Sequence, residues 1–265
     1  MKEPSQNEDT AKKVHIQTFG CQMNEYDADK MLAVLRHENY FHTNYQEDAD
    51  LIILNTCSIR EKAENRVFSE LGRLRKLKSV NPELKIGVGG CVAQQEGESI
   101  LLREANVDFV FGTDNLFELP EMLNKVSQGQ KISQTERHPR QKVRNFIPDY
   151  TFQQARHFGI KAHLTITKGC NNHCSFCVVP ITRGPEVSRE PEDILAEAQQ
   201  LISVGTKEIC LLGQNVNSYK ANGVDFVELL HRLDKLENLE RLRFISPHPK
   251  DFHAVLADAF ITLPS

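Results

Sequence analysis

The sequence has no long apolar run. Stretches such as Leu51-Ile-Ile-Leu54 are typical, far below the roughly 18 residues a membrane helix needs. No leader is expected at its start: the N-terminal MKEPSQNEDTAKK has no apolar stretch and carries acids, so it reads as neither a secretion signal nor a good transit peptide. A cytoplasmic location is the expectation. Net charge is −4, so the chain as a whole is not a polycation built to coat nucleic acid. It lacks a disulfide framework as well. Seven cysteines are an odd number, and a cytoplasmic chain rarely pairs them.

What is present is ordinary in bulk and unusual in placement. Hydrophobic residues are 40% and charged residues 26%, as in globular proteins, and 265 residues suffice for two domains with a core each. Two stretches are locally basic. Residues 128–163 hold seven Lys/Arg and two acids, a balance of +5, and residues 58–78 hold seven Lys/Arg and three acids, a balance of +4. Either attracts a phosphate backbone, or it is a solvated helix face and a polar linker; charge alone favours the bland pair.

Apolar strands alternate with helical periods through the first half. Strands are predicted at 13–20, 51–56, 85–90 and 108–111, and helices at 25–37, 59–78, 94–104 and 116–126. Continuous apolar strands between helices argue for a parallel sheet covered on both faces, the doubly wound α/β arrangement. Residues 129–158 have few apolar positions and no period, and read as a linker that could hold a short strand or two. The alternation then restarts, with strands at 164–167, 207–212 and 242–245 and helices at 191–204, 226–236 and 251–260, the last capped by Asp251. The expected domains are therefore 13–128 and 159–265.

Three cysteines follow three strands of the first half: Cys21 in Gly20-Cys-Gln-Met-Asn24, Cys57 in Asn55-Thr-Cys57 and Cys91 in Gly89-Gly-Cys91. All strand ends of a parallel sheet lie on one edge, so residues far apart in sequence converge there. Each is placed where a helix begins, which favours thiolate, and the flanking glycines admit a bulky ligand. Three thiolates suit a 4Fe–4S cluster with one open iron or a cysteine-rich zinc site, although zinc wants a fourth ligand that is not obvious. Three small buried core cysteines is the plain alternative.

The second half opens with Cys170-Asn-Asn-His-Cys174-Ser-Phe-Cys177, directly after a strand. Three thiolates in one short loop grip three irons of a cube and leave the fourth open to substrate. A disulfide would strand one cysteine, and zinc would need His173 from inside the loop.

C-x-x-x-C-x-x-C after the first strand of a β/α barrel, with the aromatic Phe176 before the last cysteine, resembles the radical S-adenosylmethionine (SAM) superfamily. The words Thr18-Phe-Gly-Cys-Gln-Met-Asn-Glu-Tyr26, Asn55-Thr-Cys-Ser-Ile-Arg-Glu-Lys-Ala63, Gly90-Cys-Val-Ala-Gln-Gln95, Thr182-Arg-Gly184 and Leu211-Leu-Gly-Gln-Asn-Val-Asn-Ser-Tyr219 resemble the MiaB-type tRNA methylthiotransferases, from about Lys13 to the last residue. Gly20-Cys-Gln-Met-Asn24 is most like the members acting on isopentenyl-adenosine.

The resemblance implies two 4Fe–4S clusters, one on Cys21, Cys57 and Cys91 and one on Cys170, Cys174 and Cys177. The second would bind SAM through its open iron and reduce it, and the deoxyadenosyl radical would take hydrogen from carbon 2 of the adenine next to the tRNA anticodon. Sulfur associated with the first would enter there, and a second SAM would supply the methyl. No side chain serves as a catalytic acid or base, because an unactivated aromatic C–H has no acidic proton and the cofactor carries the chemistry. Phe176, Gly213, Gln214 and Asn215 are the expected SAM contacts; for the last three a polar turn is the bland reading. Arg183 would meet substrate or form a surface ion pair, Asn24 and Asn55 read as loop hydrogen-bonders, His248 and His253 as surface or cap residues, and Cys210 as a buried structural thiol.

The partners implied are tRNA, a flavodoxin- or ferredoxin-like electron donor and a sulfur source of unknown identity, with no membrane. Three strand–helix units follow residue 159 where the superfamily barrel has about six, and no counterpart of the family's C-terminal RNA-binding domain is visible. The chain therefore reads as a fragment holding the first part of the barrel, expected to bind at least the first cluster and not to modify tRNA. The competing readings are a non-catalytic iron–sulfur or RNA-binding fragment and a methylthiotransferase for another tRNA adenosine derivative.

Overall fold

The computed structural model describes residues 11–58, 61–138 and 159–263, the side chains of 61–64 excepted. The chain divides into two compact units, Met1–Arg137 and His138–Ser265.

In the first unit the order is β1 (Lys12–Thr18), α1 (Gln22–His37), β2 (Tyr40–His42), β3 (Leu51–Thr56), α2 (Glu61–Val80), β4 (Lys85–Gly90), α3 (Cys91–Glu96), α4 (Glu98–Arg103), β5 (Phe109–Phe111), α5 (Leu119–Ser127) and β6 (Ile132–Gln134). The six strands form one sheet in the order β2-β1-β3-β4-β5-β6, every pair parallel. Strand order reverses at β1, which defines the topological switch point of a doubly wound sheet. β3 lies near the middle, and all six of its residues are buried, which is why it reads as an unbroken apolar run.

Packing explains the glycines of β4. Gly87 and Gly89 pair in register with Phe109 and Phe111, and a Cβ on either would stand 2.2 Å from the facing ring. The two rings stack with centroids 5.9 Å apart, filling the space the glycines leave. Asp29 on α1 is half-buried, and desolvation, followed by the charge of Glu25, pushes its carboxyl up to about 7.

The second unit runs β7 (Lys161–Thr165), β8 (Thr167–Lys168), α6 (Val179–Thr182), β9 (Val187–Ser188), α7 (Pro191–Ser203), β10 (Glu208–Leu212), β11 (Lys220–Ala221), β12 (Val224–Asp225), α8 (Phe226–Asp234), β13 (Arg241–Phe244) and α9 (Ala254–Thr262). β7, β10 and β13 form a parallel sheet in the order β13-β10-β7, and β8/β9 and β11/β12 are antiparallel pairs. Pro191 starts α7 at a position where its missing N–H costs nothing, and Asp225 Oδ1 caps α8 by accepting from Glu228 N at 2.9 Å. The core gathers Leu164, Ile166, Ile194, Ile209, Leu211 and Leu229, all fully buried.

An ion pair lies within this unit. Arg189 Nη2 is 2.6 Å from Glu197 Oε2, and both side chains are almost wholly buried. Arg189 Nη1 also donates to Thr165 O at 2.8 Å, and Tyr219 Oη donates to Arg189 O at 2.9 Å.

Several expectations shift. Residues 132–134, inside the expected linker, form the edge strand β6, while residues 139–158 lie outside the described residues. The helix expected at 94–104 is two helices broken at Gly97, whose φ is 49°. Asp251 does not cap the last helix. It ends a 3₁₀ turn (Pro249–Asp251) whose cap is His248, and α9 starts after His253. The carboxylate of Asp251 instead accepts from Asn215 Nδ2 at 2.7 Å.

Candidate metal centres

β1, β3 and β4 are neighbours in the first sheet, and adjacent strands stand about 4.8 Å apart. Cys21 caps α1 just past β1, Cys57 follows β3 directly, and Cys91 is the first residue of α3 directly after β4. The three cysteines thus occupy three consecutive positions along the carboxyl edge, at the switch point where open α/β sheets bind ligands. Cys57 and Cys91 are buried, Cys21 is half-buried, and all three stand outside disulfides.

A buried polar lattice sets their backbone. Asn24 Nδ2 donates to Asn55 Oδ1 (3.1 Å) and Thr56 O (2.9 Å), and Asn55 Nδ2 returns a bond to Asn24 O (2.6 Å). Cys21 Sγ is 3.4 Å from Asn24 Oδ1. The hydroxyl of Thr56 donates to Gly89 O at 2.6 Å and accepts from Val92 N and Ala93 N at 3.1 and 3.3 Å, satisfying buried first-turn N–H groups of α3. Asn24 and Asn55 are therefore loop-building residues, as expected. Glycine is required twice. A Cβ at Gly20 would lie 2.6 Å from Cys57 Cβ, and Gly90 has φ 94° with Thr56 O 2.4 Å from where its Cβ would be.

The second group is held by local bonds around the loop after β8. Gly169 N donates to Gln214 Oε1. Cys170 N donates to Gly184 O (3.0 Å), Asn172 N to Cys170 Sγ (3.4 Å), and Cys177 N to Cys174 O (3.1 Å). Exposure peaks in the middle of the loop: Cys170 is buried, Cys174 exposed and Cys177 half-buried. Phe176 is 94% exposed, so its ring is free to meet a ligand.

Gly213, Gln214 and Asn215 follow β10 at the carboxyl edge of the second sheet, which carries the loop after β7 and β8 as well. A Cβ on Gly213 would stand 2.2 Å from Thr167 Oγ1. Three buried atoms here lack a hydrogen-bond partner among the described residues: Gln214 Nε2, Asn215 Oδ1 and Thr167 Oγ1. Buried polar atoms left open are costly, and a polar ligand at this edge is one way to satisfy them. Glu186 faces the same region; burial, then the charge of Asp251, raises its carboxyl, against the opposing pull of Ser218 and Lys250. Sequence reading had passed over Glu186, Asn217 and Lys250. The Pro-His-Pro run after β13 was the available signal that the chain turns sharply there.

Arg183 is buried, not a surface residue. Cys210 is half-buried on β10, and burial pushes its thiol up. Among the described residues no three His, Cys, Asp or Glu side chains are gathered as a single metal ion requires. The thiolates of a four-iron cluster attach at different corners and stand further apart than the ligands of one ion.

Residues 13–112 match the Uncharacterized protein family UPF0004, and residues 164–260 match the Radical SAM superfamily. The chain thus carries a UPF0004 domain followed by a Radical SAM domain. It is 50% identical over 259 residues to a tRNA-2-methylthio-N(6)-dimethylallyladenosine synthase of Janthinobacterium sp. (strain Marseille), covering 96% of this chain and 57% of the relative. It is 47% identical to the synthase of that name from Francisella tularensis subsp. holarctica (strain OSU18), with 96% and 58% covered. The chain therefore spans somewhat over half the length of the curated relatives it matches. Among solved structures it is similar in fold to the radical S-adenosylmethionine methyltransferase TsrM from Kitasatospora setae, with TM-score 0.61, 14% identity, and 95% of this chain and 59% of that one covered. The cobalamin-dependent S-adenosylmethionine radical enzyme OxsB is also similar, with TM-score 0.54, 16% identity, and 89% and 38% covered.

Proposed function

We propose that this chain belongs to the machinery of a radical SAM tRNA methylthiotransferase that modifies carbon 2 of isopentenyl-adenosine beside the anticodon. The observation that carries the reading is the loop Cys170–Cys177, three thiols within eight residues at the carboxyl edge of a parallel sheet, beside buried polar atoms that lack partners among the described residues. The donor set fits: soft thiolates select iron–sulfur clusters, and three thiolates leave one iron open. Cys170, Cys174 and Cys177 would hold one 4Fe–4S cluster, which supplies reductive cleavage of SAM when bound. Cys21, Cys57 and Cys91 would hold a second, linked to sulfur insertion, and the glycines at positions 20 and 90 leave it room.

The chain's own residues do the holding. Gln214 fixes the start of the loop through Gly169 N, and Gln214 Nε2 and Asn215 Oδ1 remain to bind the polar end of SAM. Gly213 keeps that approach free of a side chain, and Phe176 offers an aromatic face. The substrate is tRNA, the reductant a flavodoxin- or ferredoxin-like protein, and the setting the cytoplasm. Two facts agree with that setting: relatives at 47–50% identity carry a tRNA-modifying name, and no helix among the described residues is long and apolar enough to cross a membrane.

Iron and sulfide analysis with Mössbauer spectroscopy on anaerobically purified protein tests this. About eight irons per chain in two cubane sites is the expected result. SAM cleavage after reduction then separates the enzyme from a passive scaffold. A folded protein with no iron after reconstitution would sink the reading.

A further inference from the structure

The segment after β13 turns back onto the cysteine loop. Ser246 adopts a left-handed backbone, φ 61°, and its carbonyl accepts from Val216 N at 3.3 Å. Asn217 then grips the backbone of His248 on both sides: His248 N donates to Asn217 Oδ1 at 2.7 Å, and Asn217 Nδ2 donates to His248 O at 3.0 Å. Two residues on, Lys250 Nζ donates to Asn172 Oδ1 at 2.9 Å, inside the cysteine loop. Between these two ties, His248 Nε2 stands 3.9 Å from Cys174 Sγ.

The other ring nitrogen assigns the proton. His248 Nδ1 accepts the N–H of Lys250 at 3.2 Å and so caps the 249–251 turn. A neutral ring whose Nδ1 accepts carries its hydrogen on Nε2, and that N–H is the one beside the sulfur. The contact, at 3.9 Å, is within reach of an N–H···S hydrogen bond.

We propose that His248 is a positioning residue for the loop's cluster, donating an N–H···S bond to Cys174 that stabilises the reduced form. The inference rests on the cluster reading above. A donor beside a metal-bound thiolate draws electron density from the sulfur, which favours the form carrying the additional electron and raises the reduction potential. A turn-capping histidine with no electronic role would leave the potential where it is.

Two variants separate these cases. His248→Asn places Oδ1 where Nδ1 was and keeps the cap, but nothing reaches the sulfur. His248→Gln carries an amide N–H to roughly the place of Nε2 and loses the cap. Wild type and both variants are reconstituted anaerobically with iron and sulfide, and iron is counted. Each is then poised with dithionite, the electron source, through redox mediators, and the reduced-cluster EPR signal absent from a Cys170/Cys174/Cys177→Ala protein is followed. At a fixed potential, the ratio of reduced to oxidised cluster is expected to fall about two- to fivefold in His248→Asn and to recover in His248→Gln. An unchanged ratio in His248→Asn with full iron overturns the proposal, and so do equal losses in both variants, which mark a structural role. Wild-type protein without iron in the loop overturns the cluster reading, and this inference with it.

Discussion

The two cysteine groups are built in opposite ways. Cys21, Cys57 and Cys91 span 71 positions of sequence and meet because β1, β3 and β4 are neighbours in one sheet. Cys170, Cys174 and Cys177 span eight residues and need no sheet to be near each other. The first group is largely buried and framed by Asn24, Asn55 and Thr56; the second runs from buried to exposed and is tied down by side chains from β10 onward. A site made by topology depends on the whole fold, whereas a site made by a loop depends on its immediate neighbours. Variants distant from the cysteines therefore disturb the two in different patterns.

The largest effect tests whether there are two sites at all. Replacing Cys170, Cys174 and Cys177 by Ala is expected to remove about half the iron, and replacing Cys21, Cys57 and Cys91 the other half. Loss of all iron from either folded triple variant means that a single shared site is the truth.

Next comes the buried pair of the second unit. Glu197→Ala leaves Arg189 charged and without its carboxylate, which is expected to destabilise that unit by about 3–5 kcal/mol. Hydrogen exchange resolved by strand reads it: protection should drop across β7 and β10 while β3 and β4 hold. A change below about 1 kcal/mol would place the pair among weak surface bridges.

Asn55→Ala is the counterpart in the first unit. It strips Asn24 Nδ2 of one acceptor and Asn24 O of its donor, at a cost of about 1–3 kcal/mol. Iron held by Cys21, Cys57 and Cys91 should be released faster to a chelator, with the other site unaffected. Equal release from both sites would contradict the separation of the two groups.

Asp29 gives a pH-dependent difference. Its carboxyl, ordinarily 3.8, is pushed up to about 7, so the folded state keeps a proton that the unfolded state releases. That contribution is fully present below about 3.8 and is lost as pH rises towards 7. Asp29→Asn should gain about 1–3 kcal/mol at pH 8 relative to wild type and much less at pH 4.5, by urea unfolding at each pH. An equal gain at both values would assign the effect to packing. The smallest effect is that of Cys210→Ser, expected to keep the iron of both groups; loss of one group's iron from the folded variant would make Cys210 a ligand.

The sequence carried the two buried strands well. Leu51–Thr56 and Lys85–Gly90 are continuous apolar or small runs between turn signals, and both were placed with their observed bounds. The cysteine words were visible because strand ends and loop spacing are local patterns. Tyr40–His42 was not visible, since a three-residue strand at the sheet edge has no period to detect; β6 falls in the polar stretch where a short strand or two was allowed, but nothing in its sequence marked the position. Asp251 looked like a helix cap by its residue type, yet its carboxylate is taken by Asn215, 36 positions away. Glu197 left a trace that was not used: it shares a helix face with Ile194 and Leu201, where a charge needs a buried partner. Gln214, Lys250 and His248 converge on the cysteine loop through turns whose geometry the sequence does not encode in any simple repeat.

The hydroxyl of Thr56 has a consequence for the order of assembly. By bonding Gly89 O, Val92 N and Ala93 N together, it rivets the end of β3 to the start of α3 while the polypeptide folds. Cys57 is the residue directly after Thr56, and Cys91 lies between Gly89 and Val92. Their separation is set by the apoprotein, so ordering this part of the socket falls on folding and not on metal capture.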